Sequence, residues 1–245
     1  MEIENLTFKT EKEYKEFLDY LFSIRDIEYR DFNTKIIIPV DSEIIGIRTP
    51  LLKDMAKKIA KTSSENFLNL FEKLFTKKKV KYHEEKVLYG FIIGYSKIDF
   101  QKRLKRIDFF INIIDNWAVC DIVDSSFKFI NKNKEDFYKY LNSKLSATNP
   151  WEQRFIFVML LAYYVEEKYL KDIFKICEKI KSDEYYVKMM QAWYFATAIA
   201  KQYEASIPYI EQHRLHEWAH RKAIQKARES FRVSDEVKAY LKSLK

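Results

Sequence analysis

The stretch DNWAVCD, Asp115 to Asp121, sets an indole and a carboxylate four residues apart. On a helix, positions four apart share a face. Trp117 and Asp121 then stand together as an aromatic face beside a carboxylate, two groups that each attract positive charge. The plain alternative is a core tryptophan next to an aspartate near a helix start. A second residue with chemical capacity is Arg154, in WEQRFIFVMLLAYY, placed just before a long apolar run. A guanidinium that close to a core needs a partner, because an unpaired buried charge is costly. A neighbouring carboxylate is one partner; a bound anion is the other, since the guanidinium matches phosphate in a bidentate way. Trp193, in MMQAWYFATA, reads as core on its surroundings alone.

These residues need a scaffold, and the composition indicates which. Among 245 residues there are only 3 Gly and 4 Pro. Turns and strands are punctuated by both, so the chain reads as all-α, long helices joined by short loops. One run of β-branched residues, IIIPV (Ile36 to Val40), is short. EKEYKEFLDYLFSIRD has apolar residues at helical spacing, at Tyr14, Phe17, Leu18, Leu21 and Phe22. A polar, β-tending connector is expected next, ending in IIGIRTP. Pro50 suits the first turn of the following helix, with Thr49 as its N-cap. About a dozen helices follow in all, alternating polar and strongly apolar, with no linker rich in glycine or serine. We expect one domain over 1–245, with apolar helices inside a layered stack and lysine-rich helices outside.

Such alternation is the mark of a helical-repeat solenoid. Trp117 to Arg154 is 37 residues and Arg154 to Trp193 is 39, each pair on successive strongly apolar helices. The period is a little below the ~40–47 of HEAT repeats. In a solenoid, equivalent positions line one curved surface, so Trp117, Asp121, Arg154 and Trp193 are expected on a concave, basic face.

Lys plus Arg number 44 and Asp plus Glu 36, a net charge of +8. That suits a polyanion partner without requiring one. Cys120 and Cys177 form no spaced metal motif and are expected as unpaired thiols in a reducing cytoplasm. Cys120, beside Asp121, reads as a packing residue and not a nucleophile. No apolar run has membrane-spanning length and no cleavable leader is visible, so a soluble cytoplasmic protein without membrane contact is expected. HEEK (His83 to Lys86) lacks the second histidine of a zinc protease motif; Glu84 and Glu85 read as helix-start acids. His213, His216 and His220 would form one stripe of a continuous helix, but no cysteine supports zinc, and a helix break near Glu217 is equally compatible. The preferred reading there is a basic face for phosphates, Arg221, Lys222, Lys226 and Arg228, against an ordinary solvated helix face.

IIGIRTPLLKDMAKKIA, DNWAVCD, WEQRF, YYVKMMQAW and KAIQKARES, in this order, resemble the AlkD-type DNA glycosylases, HEAT-like-repeat enzymes of DNA alkylation repair. The resemblance runs from about Tyr29 to Arg232. It implies a metal-free, cofactor-free monomer in the bacterial cytoplasm, associated with the nucleoid. Its partner would be double-stranded DNA carrying alkylated purines such as 7-methylguanine and 3-methyladenine, cleaved without flipping the base. By resemblance the catalytic aspartate falls on Asp121, the sugar-contacting tryptophans on Trp117 and Trp193, and the phosphate-holding arginine on Arg154. The DNA-facing turn falls on Gly46 to Pro50, including Arg48, Thr49 and Pro50, with Lys53 following and Tyr29 preceding as further contacts. Arg48 stands where the best-known members have glutamine. A non-catalytic DNA-binding repeat protein is the alternative reading, and a helical scaffold for protein partners the third. The third predicts no salt-dependent DNA binding.

Overall fold

The computed structural model describes residues 1–38, 41–180 and 182–244. Pro39 and Val40, the end of the IIIPV run, lie outside the described residues. Among those described there are fourteen α-helices, three short 3₁₀ turns and no strand; Glu43 and Tyr82 form an isolated bridge. The chain is all-α, as the scarcity of glycine and proline predicts. It contains two compact units, Met1–Phe129 and Ile130–Lys245.

The first unit holds α1 (Glu11–Ser23), α2 (Ile27–Ile36), α3 (Thr49–Thr62), α4 (Ser64–Thr76), α5 (His83–Tyr95), α6 (Phe100–Ile113) and α7 (Trp117–Ile122). α1 starts with a reciprocal cap: the Thr10 side chain accepts the Glu13 N–H while Glu13 accepts the N–H groups of Thr7, Lys9 and Thr10. Its apolar stripe then buries Tyr14, Phe17 and Leu21. α5 is the centre of this unit, with eleven of its thirteen residues buried. A helix apolar on all sides is a buried helix, and α5 packs against α3, α4, α6 and α7. Arg103 on α6 closes its C-terminal end: the buried guanidinium donates to the carbonyls of Ile93, Gly94, Ser96 and Ile98 and lies over the Phe129 ring. Those carbonyls have no partner within a helix. Burial pushes the Arg103 pKa down to about 10.

Two expectations are corrected here. The connector after Asp26 is not extended throughout, because α2 occupies its first ten residues. Its apolar content is poor and only Asn33 is buried, so periodicity does not reveal it. Local hydrogen bonding favours it: Asp26 caps the Tyr29 N–H at 2.9 Å, and Asn33 and Thr34 return bonds to carbonyls four residues back. Arg48, not Thr49, is the N-cap residue of α3, and no side chain caps it; Thr49 is already helical and Pro50 sits in the first turn. After α7 the chain does not run on as one helix. α7 stops at Ile122, and 3₁₀ turns at Asp124–Ser126 and Lys128–Lys132 follow.

The second unit holds α8 (Lys134–Ser143), α9 (Pro150–Tyr163), α10 (Glu167–Lys179), α11 (Tyr185–Lys201), α12 (Tyr203–Glu211), α13 (Glu217–Glu229) and α14 (Asp235–Ser243). Asn149 caps α9 through the Trp151 N–H at 2.8 Å, ahead of Pro150. α11 is central and packs on α9, α12 and α13. The strongly apolar helices α5, α9 and α11 therefore form the interior of their units, while α10 and α13 turn one polar face outward.

Candidate functional site

Asn116 organises the first half of the site. Its side-chain oxygen accepts the N–H groups of Ala118 and Val119, both at 3.0 Å, and so starts α7. Its amide donates to Asp115 at 2.8 Å. The other Asp115 oxygen accepts from the Ser42 N–H at 3.1 Å, the Ser42 hydroxyl at 2.8 Å and the Lys86 ammonium at 2.9 Å. Burial alone would raise the Asp115 carboxyl, but Lys86 and Ser42 outweigh it and hold it below the usual range. α7 is thus seated by a buried polar cluster, though it is only six residues long and too short to be stable by itself.

Trp117 and Asp121, one turn apart on α7, both line a cavity of about 340 Å³. Tyr29, Thr49, His83 and Glu84 share its wall, with Ile37, Ile44, Ile47, Leu52 and Val87 as its apolar part. The Trp117 indole N–H donates to the Ile36 carbonyl at 3.2 Å, which fixes the ring against the end of α2. Asp124, one turn beyond Asp121, has its pKa raised, chiefly by burial and further by the Asp121 charge, against the opposing charge of Lys53. A second carboxylate therefore stands beside the first, which the D-x-x-D spacing could have indicated.

Of the other residues in the turn, Arg48 is exposed; it pairs with Asp26 at 2.7 Å and lies 5.1 Å from the Tyr29 ring centre. Pro50 is exposed and Lys53 lies over the Phe91 ring. Glu84 is the residue sequence reading undervalued. It is 2 % exposed, and its carboxylate accepts from Ile45, Gly46 and Ile47 at 2.9, 2.7 and 3.1 Å. It stands at the helix start as expected, and beyond that it clamps the loop that forms the cavity wall. Glu85 is buried too, bonded to Tyr14 and to the N–H groups of Lys81 and Tyr82.

Gly46 makes that clamp sterically possible. Its φ is +101°, and a Cβ there would lie 2.5 Å from the Asp26 carbonyl and 2.7 Å from the Arg30 Cβ. Gly46→Ala is expected to destabilise the protein by at least about 2 kcal/mol in urea unfolding. An unchanged midpoint would mean that the loop relaxes freely.

His83 supplies a pH signature. Burial lowers its pKa, although the Glu84 and Asp115 charges act the other way. The unfolded chain, with an ordinary value near 6.5, takes up this proton first as pH falls. Stability is therefore full above about pH 6.5 and declines below it, by up to about 1.4 kcal/mol per pH unit, until the folded group is protonated too. His220, also lowered mainly by burial, contributes with the same sign. Urea unfolding from about pH 7.5 to about pH 5 should show this decline, and His83→Gln should flatten it.

In the second unit, Arg154 is 2 % exposed; it donates to the Tyr186 carbonyl at 2.7 Å and lies 5.6 Å from that ring's centre. Trp193 is 36 % exposed and so is not core, contrary to what its apolar neighbours suggest. The basic face on α13 is partly neutralised. Arg221 pairs with Glu217, Lys226 pairs with Glu229 at 2.9 Å, and Lys222 donates to Gln225. The histidine stripe does not exist as one helix face. α12 ends at Glu211, His213 has φ +51°, and His216 caps α13 by accepting the Trp218 N–H. His213 and His220 stack at 4.3 Å. Among the described residues no cluster of three or more His, Cys, Asp or Glu could hold a metal ion. Cys120 is fully buried, as a packing residue should be. Among the described residues no helix is long and apolar enough to cross a membrane.

The class these features define is an all-helical protein with an aromatic and carboxylate pocket in its first unit. The family model described as DNA alkylation repair enzyme matches residues 10–227, and the chain belongs to that family. A search of curated proteins finds no match to this chain.

Proposed function

We propose that the chain is a DNA glycosylase that hydrolyses the N-glycosidic bond of cationic alkylpurines, 7-methylguanine and 3-methyladenine, in duplex DNA. The shared wall of Trp117 and Asp121 in one cavity supports this reading most directly. A purine alkylated at N7 or N3 carries positive charge while still attached to its sugar, so no general acid is needed. When the C1′–N bond breaks, its electron pair leaves with the base and positive charge grows on the deoxyribose. Asp121 stabilises that charge, and takes a proton from the water whose oxygen bonds to C1′. Trp117 offers its π-face to that cation, worth ~0.5–2 kcal/mol, and Trp193 contacts deoxyribose, as the resemblance implies. Arg154 binds backbone phosphate.

Because the leaving group is already activated, the base need not be flipped into a closed pocket. Tyr29, Arg48, Thr49, Pro50 and Lys53 contact DNA from the first unit, and Arg221, Lys222 and Lys226 contact it from the second. In this reading the protein is a HEAT-like-repeat monomer that needs no cofactor and acts as one domain on nucleoid DNA in the cytoplasm. The net charge of +8 is consistent with such a partner. The test is release of free 7-methylguanine from a methylated duplex at excess protein. Release above the protein-free rate supports the glycosylase. Salt-dependent binding with no release would leave the non-catalytic DNA binder in its place.

A further inference from the structure

A chain of aromatic contacts in the second unit takes no part in the chemistry proposed above. Trp151 on α9 lies 5.3 Å from Tyr186 on α11. Tyr186 lies 5.2 Å from Tyr185, nearly perpendicular to it, and Tyr185 lies 5.6 Å from Trp218 on α13. Three helices thus contribute four rings to one strip. The strip is not core: Tyr185 is 52 % exposed and the other three are half-buried. Single exposed aromatics are common, but four in contact form a patch of the kind that marks a binding surface.

Cations are interleaved with the rings. Lys188 from α11 and Lys222 from α13 each stand 5.7 Å from the Trp218 centre, and Arg154 stands over Tyr186. Beside Trp218 lies a groove of about 430 Å³ lined by His216, Glu217, Arg221, Lys222 and Gln225. The carboxylates nearby are exposed. Asp183 is 3.8 Å from Lys188 and 3.9 Å from His216, and Glu217 pairs with Arg221 at the surface. Exposed pairs of this kind exchange at little cost.

Flat π-faces alternating with cations suit a ligand that has flat rings and negative charge at every repeat. That ligand is nucleic acid, and its bases must be unpaired, because in a duplex each base face is covered by its neighbours. We propose that the Trp151–Tyr186–Tyr185–Trp218 strip binds single-stranded nucleic acid. Bases stack on Tyr185 and Trp218, and Lys188, Lys222 and Arg221 hold the flanking phosphates. The site lies in the second unit, shares Arg221 and Lys222 with the duplex contacts proposed above, and does not depend on the chemistry proposed for Asp121.

The test uses the full chain carrying Asp121→Asn, with a short labelled oligothymidylate as probe and an unmodified duplex as reference. The oligothymidylate should quench tryptophan fluorescence and bind less tightly as salt rises. In the Tyr185→Ala, Trp218→Ala double variant, the ratio of single-strand to duplex affinity should fall at least tenfold. In the Tyr185→Phe, Trp218→Phe variant it should stay within about twofold of the parent, because phenylalanine retains a π-face. Circular dichroism melting confirms that both variants are folded. An unchanged ratio in the alanine variant overturns the proposal, as does an equal loss in the phenylalanine variant. Competition by polyglutamate as effective as oligothymidylate also overturns it, since a peptide polyanion offers no bases to stack.

Discussion

Asp121→Asn is expected to lower 7-methylguanine release by ~10²–10⁴-fold while duplex binding stays within about threefold. The substitution keeps the shape of the side chain and removes its charge. A ground-state complex loses little, because Asp121 contributes no attraction to phosphate. The transition state loses its anion at the point where sugar cation develops, and the amide cannot take the proton of the attacking water. Alkylated guanine also leaves slowly by itself, so the variant's rate must be set against the protein-free rate. Single-turnover release, with duplex affinity measured at one fixed salt concentration, separates the two effects. Asp121→Glu should recover part of the rate, since the charge returns at a displaced position. A variant releasing base at the parental rate would remove Asp121 from the mechanism. Asp124 would then be examined next, since it is the neighbouring carboxyl and its pKa is raised by burial and by the Asp121 charge.

The shared cavity of Trp117 and Asp121 was legible in DNWAVCD, because spacing of four on a helix is a geometric statement. α5, α9 and α11 were legible because helices apolar on every side have few alternatives to an interior position. α2 was not, since its stability comes from the Asp26 cap and local side-chain bonds instead of a buried stripe. The histidine stripe failed for a backbone reason: the chain turns at His213 with positive φ, and periodicity cannot register such a turn. Trp193 shows the limit of reading burial from neighbours: Ala192 and Tyr194 on either side are buried, while its own indole is 36 % exposed. The strip from Trp151 to Trp218 was invisible for a similar reason. Its rings come from three helices, and no sequence spacing encodes their contacts.

Glu84 was the least legible residue of the candidate site and carries the largest expected effect on stability. In sequence it is one of two acids at the start of α5, where the helix dipole explains it sufficiently. In the structure its partners are three backbone N–H groups of a loop nearly forty residues away. That loop is also held by the Asp26 N–H bond to the Gly46 carbonyl at 2.9 Å, by the burial of Ile45 and Ile47, by the Glu43 bridge to Tyr82 and by the Arg48–Asp26 pair, but Glu84 is what accepts these three N–H groups. Glu84→Leu would leave three donors without an acceptor in a buried place, at about 1–3 kcal/mol each. A total of about 3–9 kcal/mol is a large part of the ~5–15 kcal/mol that holds a typical domain together. Glu84→Gln is expected to cost less, about 1–3 kcal/mol. One oxygen still accepts from Gly46 and Ile47, but the new NH₂ faces the Ile45 N–H. Urea unfolding should therefore rank the chains parent, glutamine, leucine. Amide exchange at Ile45, Gly46 and Ile47 should follow the same order, from protected to as fast as an exposed loop. If the leucine variant keeps both its unfolding midpoint and that protection, Glu84 does not hold the loop, and the cavity wall formed by Ile44, Ile47 and Thr49 is set by their own packing.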